Sequence, residues 1–538
     1  MHLDLQGADA PRSLQTHVCI IGAGAAGITV ARRLLERGHS IVLLESGGLD
    51  YERATADLNV GENVGEPYYD LEDARLRFFG GTTAIWGGRV AELDPIDLEA
   101  RPWVPHSGWP IGWDELARYY GPARQLFDLP PEPPGLEVLR AAGVRPPAFA
   151  PERLQVNLWN FDRKFNRFVF AACRDLVAHP RATVVTHATV TELDLDTDAR
   201  RVSQVAVKSL TGAALTVKAD AVVLAAGGVE NPRLLLASRS RRPRGLGNDY
   251  DQVGRYFMEH PHARGGRILE SKAWDLLKAF SRTHLVGGQE IAALIRPSEA
   301  LQAELGILNT SLTIMPRPPA DGDAFWGMRA YTRVKHNVAP TRAGRALWMA
   351  TKKSAKWAQR RIDPLRPWLM HRLGQRDLSL SIRAEQAPNP TSRVRLTDQT
   401  DALGMPRVAL DWRTSRLDVD SVRGLVTVLG AELARLGLGR VEPAEWLDAP
   451  EAGWQSDPLI STHPFGGFHH MGTTRMSASP RDGVTDAQGR VHGVPNLYVA
   501  GSSLFPTSGW ANPTLTIVAL ALRSADHLSA RLGRELAA

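Results

Sequence analysis

The chain contains 538 residues, which is more than one hydrophobic core usually supports and therefore favours two large lobes. Its 43% hydrophobic and 23% charged residues are ordinary for a globular protein and exclude the fibrous and disordered classes. The formal net charge is +6, and the two cysteines, Cys19 and Cys173, exclude a disulfide framework and a cysteine metal cluster. This cysteine usage is typical of a reducing compartment, so we expect a cytoplasmic protein.

A glycine motif follows the first apolar run of the chain. Residues 18–21 predict a buried strand, and Gly22-Ala23-Gly24-Ala25-Ala26-Gly27 comes directly after it, at the start of an amphipathic helix. In this context the first glycine permits a tight turn, the second lets the backbone approach a pyrophosphate, and the third lets the helix pack on the strand. A second strand at 41–44 leads to Glu45, whose carboxylate can accept hydrogen bonds from a ribose diol. The unit predicts a dinucleotide site and leaves FAD and NAD both open.

A second glycine cluster lies at residues 80–88. It reads Gly80-Gly81-Thr82-Thr83-Ala84-Ile85-Trp86-Gly87-Gly88. The glycines permit close approach of the backbone to a ligand, and the threonines add hydroxyl donors. A plain glycine-rich turn is the alternative. The following residues 91–150 show no clear periodicity and predict an excursion away from the nucleotide-binding core.

Short apolar segments then predict a return of the chain to the first sheet. Strands are predicted at residues 182–185, 188–193, 202–207, 215–217 and 221–224. The last of them runs into Gly227-Gly228, and Glu230-Asn231-Pro232 is predicted to open the next helix.

From about residue 265 the sequence favours a second sheet. Alternating residues at 304–315 and 378–383 predict antiparallel strands, and residues 419–436 predict a helix. Between them, residues 342–376 contain one acidic residue, Asp363, and carry a local charge of +9, more than the whole chain. Because the rest of the chain is slightly acidic, we expect no nucleic-acid partner. The basic segment is compatible with contact to a membrane surface or an acidic partner, and also with a solvated helical insertion.

Residues 466–523 contain the strongest candidates for chemistry. Residues 497–500 predict a buried strand, and an apolar helix is predicted from Pro513 to about residue 528, with Asn512 at its N-cap. A helix N-terminus stabilises a ligand that becomes negatively charged. His469 and His470, just upstream, are candidates for a base beside it. The alternative is that Asn512 only caps the helix and that both histidines only form loop hydrogen bonds.

Other function classes fit the sequence less well. Residues 501–505 lack the nucleophile-elbow pattern of a serine hydrolase. His260 and His262 with His469 and His470 imitate a metal site, but no carboxylate or cysteine spacing supports one, so we expect no metal. An NAD-dependent dehydrogenase would leave the C-terminal stretch unexplained. A non-catalytic flavin-binding protein is the main alternative to an enzyme.

Together these motifs resemble the glucose-methanol-choline family of FAD-dependent oxidoreductases over nearly the whole chain. The matching pieces are the two glycine motifs, Ala226-Gly227-Gly228 with Asn231-Pro232, Val253-Gly254 with His260-Pro261, and His469-x-x-Gly472-Thr473 followed by Asn512-Pro513-Thr514. Within the family, the C-terminal pieces are most similar to the pyranose-oxidase-like branch and its bacterial sugar-oxidising relatives.

The resemblance implies an α/β fold with two parts. A Rossmann-type FAD-binding domain would be discontinuous and comprise residues 1–100, 180–264 and 455–538. A substrate-binding domain built on an antiparallel sheet with helices would comprise residues 101–179 and 265–454, with 342–376 as a basic insertion. The substrate would lie between the flavin and this sheet.

The resemblance also implies oxidation of an alcohol by hydride transfer to flavin N5, with His469 as general base and Asn512 as its partner. His470 is interpreted as a residue that supports these two side chains and does not itself contact the substrate. A sugar or glycoside is the preferred substrate, and a non-sugar alcohol such as a sterol or an aminoglycoside, oxidised with an acceptor other than oxygen, is the alternative. Oxygen and other electron acceptors both remain open.

The cofactor is expected to be FAD that is held without a covalent bond. Some pyranose-oxidase relatives tether the flavin through a histidine just before the tryptophan of the second glycine motif, and that position is Ile85 here. By their positions in the family motifs, the cofactor-binding candidates are Gly22, Gly24, Ala26, Gly27, Glu45, Gly80, Gly81, Thr82, Thr83, Trp86, Gly87, Gly88, Val190, Ala226, Gly227, Gly501, Ser502, Asn512, Pro513 and Thr514.

Overall fold

Two large sheets and one small sheet organise the part of the chain that the structure describes. The computed structural model describes residues 1–8, 10–164, 166–320, 341–449, 451, 453–461 and 463–537. Strands and helices are numbered along these residues. The α/β fold expected from the motifs is confirmed.

The first sheet is mostly parallel and contains the strands predicted to bind a nucleotide. Its central apolar strands are buried on both faces, as expected where helices cover a parallel sheet. In spatial order the sheet consists of β1 (His2–Asp4), β7 (Ala182–Thr186), β3 (Ile41–Leu44), β2 (Ser13–Ile21), β10 (Ala214–Leu224), β9 (Val202–Lys208) and β8 (Thr189–Leu195), and β19 (Leu497–Val499) pairs with β10.

Two segments of this sheet that were predicted as separate strands form a single strand, β10. The segments at 215–217 and 221–224 were separated in the prediction because Lys218 and Asp220 interrupt the apolar pattern, but β10 runs through both. Its register against β2 continues from Thr216 to Leu224. The half of β10 beyond the buried core of the sheet tolerates charged side chains, which explains the error.

The helix after β10 also begins earlier than predicted. It spans Gly227–Ala237, so Pro232 lies inside it rather than at its start. The side chain of Asn231 accepts a hydrogen bond from the backbone N–H of Ala226 at 2.9 Å and holds the turn before the helix. Pro232 has no N–H to donate, which leaves the carbonyl of Gly228 available to another partner.

The second sheet is antiparallel. In spatial order it consists of β18 (Arg440–Pro443), β11 (His262–Leu269), β15 (Asp377–Arg383), β14 (Ser311–Arg317), β13 (Gln289–Pro297), β6 (Leu154–Phe161) and β5 (Arg89–Val90), with β12 (His284–Val286) paired to β13. A small third sheet contains β16 (Arg393–Thr400), β17 (Pro406–Asp411) and β4 (Glu62–Asn63). The strand predicted at 304–315 is confirmed only in its second half, because residues 299–305 form a helix that Gly306 ends in the left-handed conformation.

The helices are α1 (Ala25–Glu36), α2 (Arg53–Ala56), α3 (Pro95–Leu98), α4 (Trp113–Leu126), α5 (Leu136–Ala141), α6 (Arg174–Ala178), α7 (Gly227–Ala237), α8 (Ala273–Phe280), α9 (Glu299–Leu305), α10 (Arg342–Ile362), α11 (Leu365–Arg372), α12 (Arg416–Arg435) and α13 (Thr514–Ala537). The basic segment at 342–376 thus forms two helices. The helix predicted at 419–436 begins earlier, at Arg416, because Ser415 and Asp418 form a capping box.

Two hydrophobic cores underlie the two large sheets. The first surrounds the parallel sheet, and the second lies between one face of the antiparallel sheet and helices α8 and α12. Two elements depart from the predicted division of the chain. Helix α4 lies within residues 101–179, which were predicted to belong to the substrate-binding domain, but it packs on α13 in the first core. Strand β5 lies within residues 1–100, which were predicted to belong to the FAD-binding domain, but it is part of the second sheet. The division of the whole chain into two functional domains stays a prediction.

Candidate active site

The carboxyl ends of four strands meet at one edge of the first sheet. β3, β2, β10 and β19 run parallel to one another in the sheet, and they are followed directly by Glu45, Gly22, Ala225 and Ala500. In open α/β sheets this edge is where a dinucleotide binds. The predicted nucleotide motifs therefore lie together at one edge.

The first glycine motif has the close packing that the sequence predicts. A Cβ at Gly27 would lie 1.9 Å from the carbonyl oxygen of Gly22, so α1 can approach β2 only with glycine at this position. A Cβ at Gly24, in contrast, would meet no atom within 4 Å. Ala26 is buried in the first turn of α1, and its Cβ lies 4.0 Å from the position that a Cβ would take at Gly501.

The carboxylate of Glu45 organises the turn around it. Its Oε2 accepts a hydrogen bond from the N–H of Ala23 at 2.9 Å, and its Oε1 accepts one from the N–H of Gly47 at 3.0 Å. Burial raises its pKa. The carbonyl of Glu45 accepts the N–H of Ala188 at 2.8 Å, which places the start of β8, with buried Val190, beside the turn. A bond from Glu45 to a ribose stays a prediction.

The second glycine motif lies against the first. The N–H of Gly80 donates to the carbonyl of Ala23 at 2.8 Å, and Gly81–Ala84 form a short 3-10 turn. The hydroxyl of Thr83 donates to the carbonyl of Gly80 at 2.5 Å, and the hydroxyl of Thr82 accepts a backbone N–H. Both threonines therefore hold the turn in shape.

Open space in front of several glycines fits an extended cofactor such as FAD. A Cβ at Gly24, Gly87 or Gly227 would meet no atom within 4 Å, so a ligand can approach their backbone. Gly88 adopts a positive φ of 76° next to this turn, and Trp86 is half-buried. These residues are suited to hold FAD against the first sheet.

The C-terminal stretch is bonded to the turn after β10. The hydroxyl of Thr473 donates to the carbonyl of Gly228 at 2.6 Å, which is the carbonyl that Pro232 leaves free. A Cβ at Gly228 would lie 2.3 Å from the carbonyl oxygen of His470, and that oxygen accepts a hydrogen bond from the hydroxyl of Ser502 at 2.7 Å. The histidine pair is thus held at the nucleotide-binding edge.

His469 lies between His260 and Asn512. Its Nδ1 is 2.8 Å from Nδ1 of His260, and its Nε2 is 3.2 Å from Nδ2 of Asn512. The two imidazole rings are nearly perpendicular, with centroids 4.9 Å apart. His260 is buried, whereas His469 and Asn512 keep part of their surface accessible.

The hydrogen bonds around His260 assign the tautomer of His469. Nε2 of His260 lies 2.8 Å from the carbonyl oxygen of Gly509, which can only accept, so Nε2 carries the proton. In a neutral ring, Nδ1 of His260 is then an acceptor and must receive the Nδ1–H of His469. This leaves a lone pair on Nε2 of His469, which accepts the amide N–H of Asn512.

Burial keeps these histidines neutral. Burial, reinforced by the neighbouring histidines and Arg383, lowers the pKa of His469 well below its usual value. Burial also lowers the pKa of His260 to about 4. A neutral imidazole at physiological pH is the form that can accept a proton.

Asn512 does not occupy the N-cap that the sequence predicts. Helix α13 begins at Thr514, and the carbonyl of Pro513 accepts the first helical hydrogen bond, from the N–H of Ile517 at 2.8 Å. Asn512 therefore lies one residue before the cap, where its amide reaches His469. The helix also continues to Ala537, beyond the predicted end at 528, because its inner face stays apolar against the first core.

The side chain of His470 is bonded to Tyr68. Its Nε2 lies 3.0 Å from the hydroxyl of Tyr68, which donates to Oε2 of Glu259 at 2.6 Å, so His470 donates to Tyr68. Burial lowers the pKa of His470 to about 3. Adjacent in sequence, the two histidines therefore have separate partners.

Glu259 is a site residue that sequence reasoning missed. Besides the hydroxyl of Tyr68, its carboxylate accepts backbone N–H groups of His260 at 2.9 Å, Gly467 at 3.0 Å and His469 at 2.8 Å. Burial raises its pKa. Phe468, just before His469, has a positive φ of 61°, a conformation that costs energy in a phenylalanine. The hydrogen bonds to Glu259 hold this strained turn. The sequence offered one signal for this role, the position of Glu259 directly before His260 in the motif.

The basic helix α10 spans from the nucleotide-binding edge to the second sheet. Near its start, Arg345 pairs with Asp50 at 2.7 Å, and its guanidinium lies 4.9 Å from the ring centroid of Phe78. Further along, Lys356 pairs with Glu290 of β13 at 2.6 Å. The helix therefore contacts both the loop after β3 and the second sheet.

The described residues contain neither a membrane-spanning helix nor a metal-ligand cluster. Among the helices of the described residues, none combines the length and apolar character that crossing a bilayer requires. Within the same residues, no group of three or more His, Cys, Asp or Glu side chains is arranged to hold a metal ion.

Two family sequence models match the chain. One, described as FAD dependent oxidoreductase, matches residues 17–245. The other, described as GMC oxidoreductase, matches residues 388–521, which include His469 and Asn512. The matched regions contain the nucleotide-binding edge and the histidine pair.

Similar proteins cover nearly the whole chain. The chain is 27% identical to 2-methyl-1,2-propanediol dehydrogenase from Mycolicibacterium austroafricanum, with 96% of each chain covered. It is 25% identical to paromamine 6'-oxidase from Streptomyces fradiae, with 96% of this chain and 91% of the relative covered. The fold is similar to that of pyridoxine 4-oxidase from Mesorbium loti, with a TM-score of 0.55 at 16% identity, covering 95% of this chain and 99% of that one.

These relatives share the same chemistry. The diol dehydrogenase and the paromamine oxidase are both oxidoreductases, as their names state, and each is similar over 96% of this chain. With the motifs and the fold, they show that the chain belongs to the glucose-methanol-choline family of FAD-dependent oxidoreductases and is an enzyme that oxidises alcohols with FAD.

Proposed function

We propose that His469 is the general base of this alcohol oxidation and that Asn512 is its partner. The observation that carries the proposal is the hydrogen-bond chain from the carbonyl of Gly509 through His260 to His469. It supports a neutral His469 with an unprotonated Nε2 beside the amide of Asn512. FAD, when bound, supplies the acceptor for the hydride that leaves the alcohol carbon.

The roles of the two side chains follow from their chemistry. Nε2 of His469 accepts the hydroxyl proton as the carbon–hydrogen bond breaks, which requires the neutral ring that burial favours. Nε2 has a single lone pair, so the amide of Asn512 must release it when the hydroxyl of the alcohol binds there, and the same N–H can then donate to the developing alkoxide. The N-terminus of α13 adds positive potential beside this point. The FAD contacts that were predicted from the sequence motifs remain part of the proposal.

For the substrate we propose a sugar or a glycoside. The resemblance of the C-terminal motif to sugar-oxidising relatives supports it, and so does the name of a C-glycoside 3-oxidase from Microbacterium trichothecenolyticum, which is 33% identical over 27% of this chain. The electron acceptor, oxygen or another carrier, and a cytoplasmic location stay predictions. A membrane or acidic partner for the basic segment also stays a prediction.

Anaerobic flavin reduction by an alcohol tests the base. His469→Ala is expected to bind FAD with a near-native spectrum but to be reduced on the order of a hundredfold to ten-thousandfold more slowly, the usual cost of losing a general base. Asn512→Ala is expected to lose less rate in the same assay.

His470→Gln is the matched control. Its amide preserves the donor to Tyr68, so flavin reduction is expected to stay near that of the unmodified protein. If His470→Gln abolishes reduction and His469→Ala retains it, the base has been assigned to the wrong neighbour. Reduction at the unmodified rate in all three variants would instead support the view that the stretch is structural.

A further inference from the structure

The two faces of the second sheet differ sharply. One face is apolar and packs on the second core through residues such as Leu158, Ile314 and Ile382. Alternate residues point to the opposite face, which is therefore the one that carries Trp159, Arg317 and Arg383. This second face is polar and strongly cationic.

Two arginines of this face meet at one tryptophan. The guanidinium carbon of Arg89 lies 5.1 Å from the ring centroid of Trp159, and that of Arg383 lies 5.4 Å from it. The three residues come from β5, β15 and β6, far apart in the chain, and Trp159 is only 1% exposed. Cation–π contact with one ring holds both positive charges close together.

In the part of the chain that the structure describes, these positive groups have no carboxylate partner at salt-bridge distance. Among the described residues, no salt bridge is formed by Arg89, Arg317 or Arg383. The buried Nε of Arg89, the Nε of Arg317 and the indole Nε1 of Trp159 have no hydrogen-bond partner in this part of the chain. Glu290 lies within electrostatic reach of Arg89, but its Oε1 pairs with Lys356 at 2.6 Å.

Within the described residues this positive charge is not balanced. Burial, with a partial offset from Glu290, lowers the pKa of Arg89 to about 10. Burial and the like charges of Arg89 and Arg317 lower the pKa of Arg383 well below its usual value. Clustering unpaired cations is unfavourable unless an anion completes the cluster. All three arginines keep part of their surface accessible, so a ligand can reach them.

The cationic cluster adjoins the proposed base. Arg383 is the cross-strand partner of His262, two residues from His260, which contacts His469. The charge of Arg383 contributes to the lowered pKa of His469, so these two side chains lie within electrostatic reach. Trp159 in turn lies 6.1 Å, centroid to centroid, from Trp510 in the segment that carries Asn512.

We propose that Arg89 and Arg383, held together by the ring of Trp159 and with the added charge of Arg317, bind an oxyanion group of the alcohol substrate. The substrate class is then an anionic alcohol, such as a sugar acid or a sugar phosphate. This inference rests on the proposed function, because the oxyanion must be held while the hydroxyl of the same molecule faces His469. Guanidinium forks match carboxylate and phosphate oxygens in the same way, so both anions belong to this chemistry.

The basic helix α10 lies next to the arginine cluster and adds positive charge to it. Lys356 lies 5.2 Å from the ring centroid of Phe161, and the guanidinium of Arg89 lies 5.6 Å from the same ring. The helix therefore extends the positive surface outward from the cluster. Positive potential around a cleft raises the rate at which anions enter and disfavours cationic alcohols such as aminoglycosides.

Anion binding tests the cluster without knowledge of the alcohol. The FAD-loaded protein is titrated with acetate and with inorganic phosphate at constant ionic strength against chloride, and binding is followed by calorimetry and by the flavin absorbance. Saturable binding of at least one of these anions is expected, and Arg383→Gln and Arg89→Gln are each expected to weaken it roughly tenfold to a hundredfold. Acetate and phosphate distinguish a carboxylate site from a phosphate site.

Matched variants and substrates separate the possible results. Arg201→Gln removes one charge from an exposed residue of the first sheet region and should bind both anions like the unmodified protein. Glucuronate and glucose 6-phosphate are compared with glucose and glucosamine in flavin reduction, and an anionic member is expected to show the lowest KM. Arg383→Lys should recover part of the affinity, since it keeps the charge but loses the fork.

Equal binding of both anions by the unmodified protein and by Arg89→Gln and Arg383→Gln would overturn the proposal, as would no binding beyond that of chloride. The failure of the proposed function looks different. In that case His469→Ala reduces flavin normally, whatever the anion titration gives. Conversely, His469→Ala is expected to keep anion binding, because His469 does not contact the cluster through a hydrogen bond.

Discussion

Replacing His260 tests whether a second histidine determines the tautomer of the base. His260→Phe keeps a planar ring of similar size but removes the acceptor that lies 2.8 Å from Nδ1 of His469. The Nδ1–H of His469 then loses its partner in a buried setting, which costs about 1–3 kcal/mol. The free energy of the competing tautomer, which has its proton on Nε2, falls by the same amount relative to the active one. That tautomer cannot accept the proton of the alcohol at Nε2.

The expected loss of rate follows from this energy. Since about 1.4 kcal/mol corresponds to a factor of ten, His260→Phe should slow flavin reduction roughly 5-fold to 150-fold while FAD stays bound. The assay is anaerobic stopped-flow reduction at saturating alcohol, so a change in binding does not enter. The loss should be smaller than that of His469→Ala, which removes the base itself.

His260→Asn is the matched variant. Its side-chain oxygen can lie near the position of Nδ1 and accept the same N–H, although it loses the bond to the carbonyl of Gly509. We expect it to recover much of the rate that His260→Phe loses. Rates within twofold of the unmodified protein for His260→Phe, or no difference between the two variants, would refute the tautomer argument.

Four more predictions concern the same region. Because burial lowers the pKa of His469, its neutral form persists as the pH falls, so the reduction rate should decline only below the ordinary histidine value of about 6.5; a decline centred at or above that value in a pH–rate profile would contradict this. Glu259→Gln should slow reduction and lower the melting temperature together, since an amide N–H would face the backbone donors of Gly467 and His469. Deleting residues 342–376 should change substrate or acceptor kinetics while FAD stays bound; unchanged kinetics toward every substrate and acceptor would make the segment a solvated insertion. Acid precipitation should release the yellow colour into the supernatant, because Ile85 offers no side chain for a covalent link, and colour kept in the pellet would show a tether elsewhere.

Local sequence determined the nucleotide-binding edge. Gly27 was predicted to let a helix pack on a strand, and the 1.9 Å approach of its hypothetical Cβ to Gly22 confirms the reason. The strands of the first sheet, the antiparallel second sheet and the helix after Asn512 were also predictable. Strand and helix periodicity and glycine geometry act over a few residues, so the sequence displays them directly.

Element boundaries were less predictable where a distant partner decides them. β10 continues through charged residues because β2 pairs along its length. Helix α7 accommodates Pro232 since the hydroxyl of Thr473, more than two hundred positions away, takes the carbonyl that proline leaves free. Asn512 was predicted to cap the helix because Asn before Pro favours that position. In the structure its amide is instead hydrogen-bonded to His469.

The chemistry of the site was decided by tertiary structure. The motif made His469 and Asn512 candidates, but it did not indicate the tautomer of His469, which depends on the carbonyl of Gly509 and on His260. The meeting of Arg89 and Arg383 at Trp159 has no sequence signal, because sheet pairing alone brings three separate strands to one face. Proton position and unpaired charge depend on which groups are close in space, and chain order does not specify those distances.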